Sequence, residues 1–489
     1  MAGTHSGVGK TTVATGLMAA LRRRGLTVGA AKVGPDYIDP GYHRLATGRP
    51  SRNLDAFLSP ARLIGSLAAR AGSGTDVLVI EGVMGLFDGA HEPARPGNVD
   101  GTPPGLPLAS TAAVAVLTST PVILVVDASA MSQSVAAVVH GYASWSPSVH
   151  LRGVILNQVG SDAHEDSLRR SLEPLADAGI RVLGALRRDP ALVWRDRHLG
   201  LVPVAERPGD IQTTLASLAD AIDRFIELDE IMTLASTAPA LDTPPLPATR
   251  ALPAGGGAGG RGGGAGGGGG GGGRGGGGGG GGGGRQPRIA VAGGPAFTFV
   301  YPDNLERLEE AGAELVPVDP INDAGLPEGT DGLYAGGGFP EVYAEELSGN
   351  REMLAHVSQA ARAGMPVWAE CGGLLWLAAS LDGKPLCGVV PASGAMTQRL
   401  TLGYRTATVR TDNPVATAGT TLRGHEFHYS RLDPPGDALS VANHRQQWLE
   451  GYATASMLAT YLHMHLGAEP GPAEGFVSAA AAWRAAAAR

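Results

Sequence analysis

Between Gly255 and Gly284 every residue is glycine except Ala258, Arg261, Ala265 and Arg274. A run without side chains has no apolar surface to bury, so it is expected as flexible coil, and whatever folds must fold on either side of it. Together with Ser236–Ala254, rich in proline and alanine, it defines an expected disordered linker over 236–286, between domains at 1–235 and 287–489. Thirty residues of such coil span roughly 30 Å r.m.s., from about 5–6 Å × √n. No chemistry is assigned to this tether.

A length of 489 residues also exceeds one ordinary domain. The apolar fraction of 43% is ample for packed cores. A net charge of −8 and no basic stripe argue against a nucleic-acid partner. Two cysteines, Cys371 and Cys387, make no disulfide framework and fit a reducing cytoplasm. No signal pattern is read at the start, and the apolar stretch around Val114–Val126 is interrupted by Thr118-Ser119-Thr120-Pro121, so a membrane partner is not expected.

Gly3-Thr4-His5-Ser6-Gly7-Val8-Gly9-Lys10-Thr11-Thr12 opens onto a helical pattern at Val13–Leu21. Glycines let successive backbone N–H groups converge on phosphate oxygens, and a helix N-terminus adds favourable partial charge. Gly7, Gly9, Lys10, Thr11 and Thr12 are the nucleotide-binding candidates, with Lys10 on the β- and γ-phosphates and Thr11 on Mg²⁺. The simpler alternative is a turn that ends in Gly-Lys-Thr by chance. The strict pattern wants glycine at Thr4, whereas here it stands one residue earlier, at Gly3. Only Met1 and Ala2 precede it, so either the chain starts upstream or the first strand is missing.

Leu26–Val33, Asp76–Gly82, Pro121–Asp127 and Leu151–Asn157 are short apolar runs alternating with helical segments. They predict a parallel, doubly wound α/β sheet whose ligands sit at the carboxyl ends of the strands. That rule groups Asp36, Asp39, Glu81, Asp88 and Asp127 with the glycine loop. Asp36 and Glu81 are expected beside Thr11 on the metal, and Asp39 and Asp88 on the substrate side.

The second half restarts at Arg288–Gly294 and reaches Val367-Trp368-Ala369-Glu370-Cys371-Gly372-Gly373, a strand turning sharply into a helix. A cysteine at such a corner suits a nucleophile: the turn exposes it and the helix N-terminus favours thiolate. Gly372 and the Gly336–Gly338 turn, Gly337 and Gly338 in particular, are the oxyanion-hole candidates. Cys387 has no such setting and is read as packing. A thiol nucleophile needs a base, and the late histidines are His425, His428, His444, His463 and His465. On a strand, His463 and His465 would share a face, while His425 and His428 would face opposite sides.

These motifs together resemble the cobyrinic acid and hydrogenobyrinic acid a,c-diamide synthase family. Those carrying the resemblance are the glycine loop, Val33–Pro40, Glu81–Gly89, Glu370–Leu374, Arg423–Ser430 and Tyr461–His463. The resemblance implies an amino-terminal domain like dethiobiotin synthetase and a carboxy-terminal class I glutamine amidotransferase domain, flavodoxin-like. It implies that Cys371 attacks glutamine, that His463 serves as base, and that ATP and Mg²⁺ bind the first domain. Amidation of a corrinoid carboxylic acid through an acyl phosphate follows, in cobalamin biosynthesis, with Tyr37 joining Asp39 and Asp88 on the substrate side. Class I enzymes carry glutamate two residues after the histidine. Here that residue is His465, so a Cys–His dyad is expected. The alternatives are a cobyric acid synthase acting on other side chains of the macrocycle, or a P-loop switch or partition ATPase. Cobyrinate and hydrogenobyrinate stay undistinguished as substrates, and a homo-oligomer is compatible with the sequence.

Overall fold

The structure is a computed structural model that describes residues 1–90, 101, 103–189, 196–197, 200–201, 208–252, 285–487 and 489. The glycine run expected as a tether lies outside the described residues.

The amino-terminal half is built on β1 (Ala2–Gly3), β2 (Val28–Val33), β3 (Ser51–Leu54), β4 (Val77–Glu81), β5 (Val122–Asp127), β6 (Leu151–Val159) and β7 (Arg181–Arg187). They form parallel sheets of order β3-β2-β4 and β1-β5-β6-β7. Gly82 N–H donates to the Met1 carbonyl (2.8 Å) and seams β4 to β1. The first strand is therefore present, two residues long, with Ala2 paired to Leu124 and Gly3 to Val125.

Alternation along buried strands sends successive side chains to opposite faces. Ile123 and Val125 enter one core, with the helix α1 (Lys10–Arg23); Val122, Leu124 and Val126 enter the other. Helices on both faces make this the doubly wound α/β layer that the apolar runs predict.

In the carboxy-terminal half, a sheet of six strands runs Glu314–Val318, Arg288–Ala292, Gly332–Ala335, Val367–Glu370, Met457–Thr460, Tyr452–Thr454. Neighbours are parallel except for the last pair. Ala335, Val367 and Ala369 face one core, while Tyr334 and Trp368 face the other. A second, mixed sheet, which the strand reading did not anticipate, pairs the long strands Val390–Val409 and Thr421–Asp433 in antiparallel register. His463–Met464 joins its edge, with His425 opposite His463.

The halves are docked. Arg52 donates to Asp303 and Glu306 (2.8 Å each), Arg70 to Glu306 (2.5 Å), and Tyr404 to Asp55 (2.6 Å). The proline-rich strip over 239–252 has no helix or strand, yet it is fastened to both halves. Ser66 donates to the Pro244 carbonyl (2.5 Å), Arg307 to Thr249 Oγ1 (2.8 Å), and Leu252 N–H to Ala311 (3.1 Å). Expected as coil, this part of the linker is held because flanking side chains satisfy its backbone carbonyls.

Candidate functional site

The glycine loop leaves β1 and enters α1, whose cap, Gly9, has φ +90° and gives no side-chain cap. Its first-turn N–H groups are thus left facing the loop, the geometry that receives an anion. Gly7 is also left-handed, at φ +84°. Gly3 is glycine for a different reason: a Cβ there would lie 2.8 Å from Lys10 Cδ, so the lysine stem runs directly over it. Lys10 folds back to donate to the His5 carbonyl at 3.1 Å. Burial, and then the nearby Lys32, lower its pKa to about 8.

Below the loop lies a buried ionic cluster. Thr11 Oγ1 donates to Glu81 Oε1 (2.7 Å) and lies 3.2 Å from Asp39 Oδ2. Lys32 Nζ reaches Asp39 (2.6 Å) and Glu81 (2.9 Å), and His43 Nε2 lies 2.5 Å from Glu81 Oε2. Burial opposes the charge on Lys32, but Asp39 and Glu81 raise its pKa above the ordinary value, so it stays protonated. Burial likewise opposes Glu81, yet Lys32 and His43 hold its carboxyl well below the usual range. Lys32 and His43 escaped the sequence reading because neither stands in a motif. A buried lysine at the end of an apolar strand was the available signal.

The residues expected on the metal are not all brought together. Thr11, Glu81 and Asp39 converge, whereas Asp36 Oδ1 accepts from Ile38 and Asp39 N–H (2.8 and 3.0 Å) at the start of the helix α2 (Asp39–Thr47). Thr11, Glu81 and Asp39 supply the hard oxygens that Mg²⁺ prefers, shared with the Lys32 ammonium. Asp88, at the surface, accepts from Gly85 N–H (2.8 Å) and shapes its own loop. Thr12 is half-buried in the first turn of α1.

Tyr37 lies at the domain junction. Its ring stacks on Phe299 (5.2 Å between centroids), meets Tyr301 (4.4 Å) and stands 5.1 Å from His463. Two residues on, Asp39 belongs to the Thr11–Lys32 cluster. One short loop thus touches both candidate centres.

Cys371 ends the strand Val367–Glu370 with φ +49°, ψ −98°, a strained corner for a non-glycine residue. Its N–H donates to the Thr460 carbonyl at 2.8 Å. The sulfur is buried, 3.9 Å from the Phe427 carbonyl. Burial, and then Glu341, push the thiol well above its usual pKa, although the Gly372 N–H works the other way. The corner therefore does not by itself make a thiolate. The resting group is a thiol that needs a base.

His463 is fully buried and bracketed by Gly337: a Cβ on Gly337 would lie 2.4 Å from His463 Cε1. A Cβ on Gly372 would lie 2.9 Å from Gly338 N and 3.3 Å from the Gly337 carbonyl carbon, so this turn packs against both the thiol corner and the imidazole. One oxyanion candidate is corrected: Gly337 N–H already donates to Phe299 O (3.0 Å), which leaves Gly338 and Gly372. His465 turns to Asp303 (3.6 Å), His425 to Tyr301 (3.2 Å), and His428 stacks on Tyr461 (3.8 Å). Cys387 packs in the core.

The CobQ/CobB/MinD/ParA nucleotide binding domain pattern matches residues 1–201, and the CobB/CobQ-like glutamine amidotransferase domain pattern matches residues 288–471. A protein of Streptomyces coelicolor named hydrogenobyrinate a,c-diamide synthase is 48% identical, over 98% of this chain and 96% of its own. The chain belongs to the cobyrinate and hydrogenobyrinate a,c-diamide synthase family. A namesake from Mycobacterium bovis is 41% identical over 98% and 97% of the two chains. A cobyrinate a,c-diamide synthase of Dehalococcoides mccartyi is 38% identical over 98% and 96%. The nucleotide-binding pattern covers the glycine loop and its ionic cluster, and the amidotransferase pattern covers Cys371 and His463. Among the described residues no helix is long and apolar enough to cross a membrane.

Proposed function

We infer that this chain is a glutamine-hydrolysing carbon–nitrogen ligase of the cytoplasm that amidates the a and c acetate groups of cobyrinate or hydrogenobyrinate in cobalamin biosynthesis. The observation that carries the reading is the Tyr37–Asp39 loop, which presses an aromatic ring on His463 while its carboxylate joins Thr11 and Lys32.

In the carboxy-terminal domain Cys371 attacks the glutamine side-chain amide and passes its proton to His463. Gly338 and Gly372 N–H groups receive the developing oxyanion. His463 returns the proton to the leaving nitrogen, ammonia departs, and water then releases glutamate from the thioester. In the amino-terminal domain Gly7, Gly9, Lys10, Thr11 and Thr12 hold ATP. The corrinoid carboxylate attacks the terminal phosphorus, ADP leaves, and an acyl phosphate results. Ammonia attacks the acyl carbon and displaces phosphate, leaving the amide. Lys10 and the α1 N-terminus neutralise phosphate charge, and Asp88 lies on the corrinoid side. Mg²⁺, held by Thr11 and Glu81 with Asp39 in place of Asp36, would neutralise further charge on the phosphates. Tyr37 stands between the centres and is read as lining the ammonia route.

The test is glutamate release. Wild type should release glutamate from glutamine. Cys371→Ala should lose that and still form amide from ATP and free ammonia. A wild type that releases no glutamate sinks the amidotransferase half.

A further inference from the structure

Position 465, where a class I enzyme would carry the carboxylate that steadies its histidine, holds a histidine that faces away. His465 Nε2 lies 3.6 Å from Asp303 Oδ2, its Nδ1 lies 3.5 Å from Ser59 Oγ, and its ring meets Tyr301. His463 is left with neither ring nitrogen hydrogen-bonded among the described residues, although it is fully buried. Buried polar groups are nearly always satisfied, so the group that faces one of these nitrogens carries its role.

The group that faces Nδ1 is the residue just before the nucleophile. Glu370 Oε2 lies 3.8 Å from His463 Nδ1, and the carboxylate is itself buried. Its other contacts are long: Met464 N–H at 3.4 Å on Oε1 and the Tyr334 hydroxyl at 3.4 Å on Oε2. Neither saturates it. Asn304 braces the surroundings, donating to Tyr334 Oη (3.2 Å) and to the Met464 carbonyl (2.8 Å). Other titratable groups around the imidazole are Cys371, Tyr37, His425, Glu426 and His428. Burial pushes His425 well below its ordinary range and His428 down to about 4, so both are neutral at working pH. Glu426 is committed to Arg405 at 2.5 Å.

We propose that Glu370 is the positioning carboxylate of His463, supplying from the position before the thiol what a class I enzyme supplies two residues after the histidine. The proposal rests on the amidotransferase reading above. A hydrogen on Nδ1 directed at Glu370 leaves Nε2, the nitrogen nearer Gly337, with the free lone pair that accepts the thiol proton. The carboxylate then stabilises the imidazolium so formed. Catalytic contacts of this kind are commonly long in the free enzyme and shorten in the complex. Burial raises the Glu370 carboxyl pKa and His463 pulls it back, so a charge on either favours a charge on the other.

The experiment compares Glu370→Gln and Glu370→Asp with wild type in the full chain. Losing an orienting carboxylate is expected to lower kcat for glutamine-driven synthesis by about 10–100-fold, with KM for glutamine nearly unchanged. Ammonia-driven synthesis should persist, showing an intact fold. The pH profile of glutamate release should change in Glu370→Gln, because the carboxylate that faces His463 Nδ1 is gone. Glu370→Asp should recover part of the rate. Unchanged rate and profile in Glu370→Gln overturn the proposal. So does an equal fall in glutamine- and ammonia-driven synthesis, which would mark Glu370 as structural. A wild type without glutamate release would instead fail the amidotransferase reading, so the two failures are separable.

Discussion

Gly337→Ala perturbs the imidazole without substituting either partner of the dyad. Gly337 is not among the left-handed glycines, so alanine meets no backbone objection there. Its Cβ would fall 2.4 Å from His463 Cε1 and 3.3 Å from Phe299 Cβ. Carbon atoms pack at about 3.5–4.0 Å, so the ring must retreat by about 1 Å or more. Overpacking of this size costs about 1–3 kcal/mol of stability. A misplacement of about 1 Å in a reacting group costs about 100-fold in rate. Glutamate release should therefore fall by about two orders of magnitude with a modest drop in melting temperature, while ammonia-driven synthesis continues. The assay is glutamate release and amide formation side by side, with thermal melts. Glutamate release within about threefold of wild type would refute the placement of His463 against this turn.

Three further outcomes follow from the same geometry. Gly9→Ala forces a side chain into φ +90° and puts a Cβ 2.4 Å from Asn157 Nδ2; the Kd for ATP, by calorimetry, should rise at least about tenfold. Arg52→Met leaves Asp303 buried without its guanidinium, and chemical denaturation should report a loss of about 3 kcal/mol, with more glutamate released per amide as the domains loosen. Glu450 is buried and its pKa is raised to about 7 by that burial, against bonds from Thr460 and Tyr461. Its folded-state pKa lies above the unfolded one, so its penalty grows as pH rises from about 4.5 to 7 and is complete above 7. Glu450→Gln should raise the melting temperature at pH 8 and lose that advantage below about pH 4.5.

What could be read in the sequence was what a few contiguous residues determine. Gly7-Val8-Gly9-Lys10-Thr11 fixes its own loop and helix entry, and Cys371-Gly372-Gly373 fixes its own corner, so both were legible. The apolar runs at Pro121–Asp127 and Leu151–Asn157 announced a parallel sheet because both faces of those strands are buried. Contacts made across the sheet or between domains left no local trace. Lys32 meets Glu81 across neighbouring strands, His43 reaches it from α2, and Tyr37 meets His463 only because the halves dock. Asp36 and Asp39 are three residues apart, and the sequence could not show that Asp36 would cap a helix while Asp39 turned inward. At Cys371 burial raises the thiol pKa against the Gly372 N–H, and burial of that corner leaves no mark in the local sequence.

The central claim is that nitrogen freed at Cys371 reaches a carboxylate activated beside Lys10 without leaving the protein. Supply glutamine labelled with ¹⁵N at its side-chain amide, ATP, Mg²⁺ and hydrogenobyrinate or cobyrinate, in the presence of excess unlabelled ammonium at a pH that keeps most of it protonated. Mass spectrometry of the product should find both new amides carrying ¹⁵N. Product whose amides carry only unlabelled nitrogen would contradict the account.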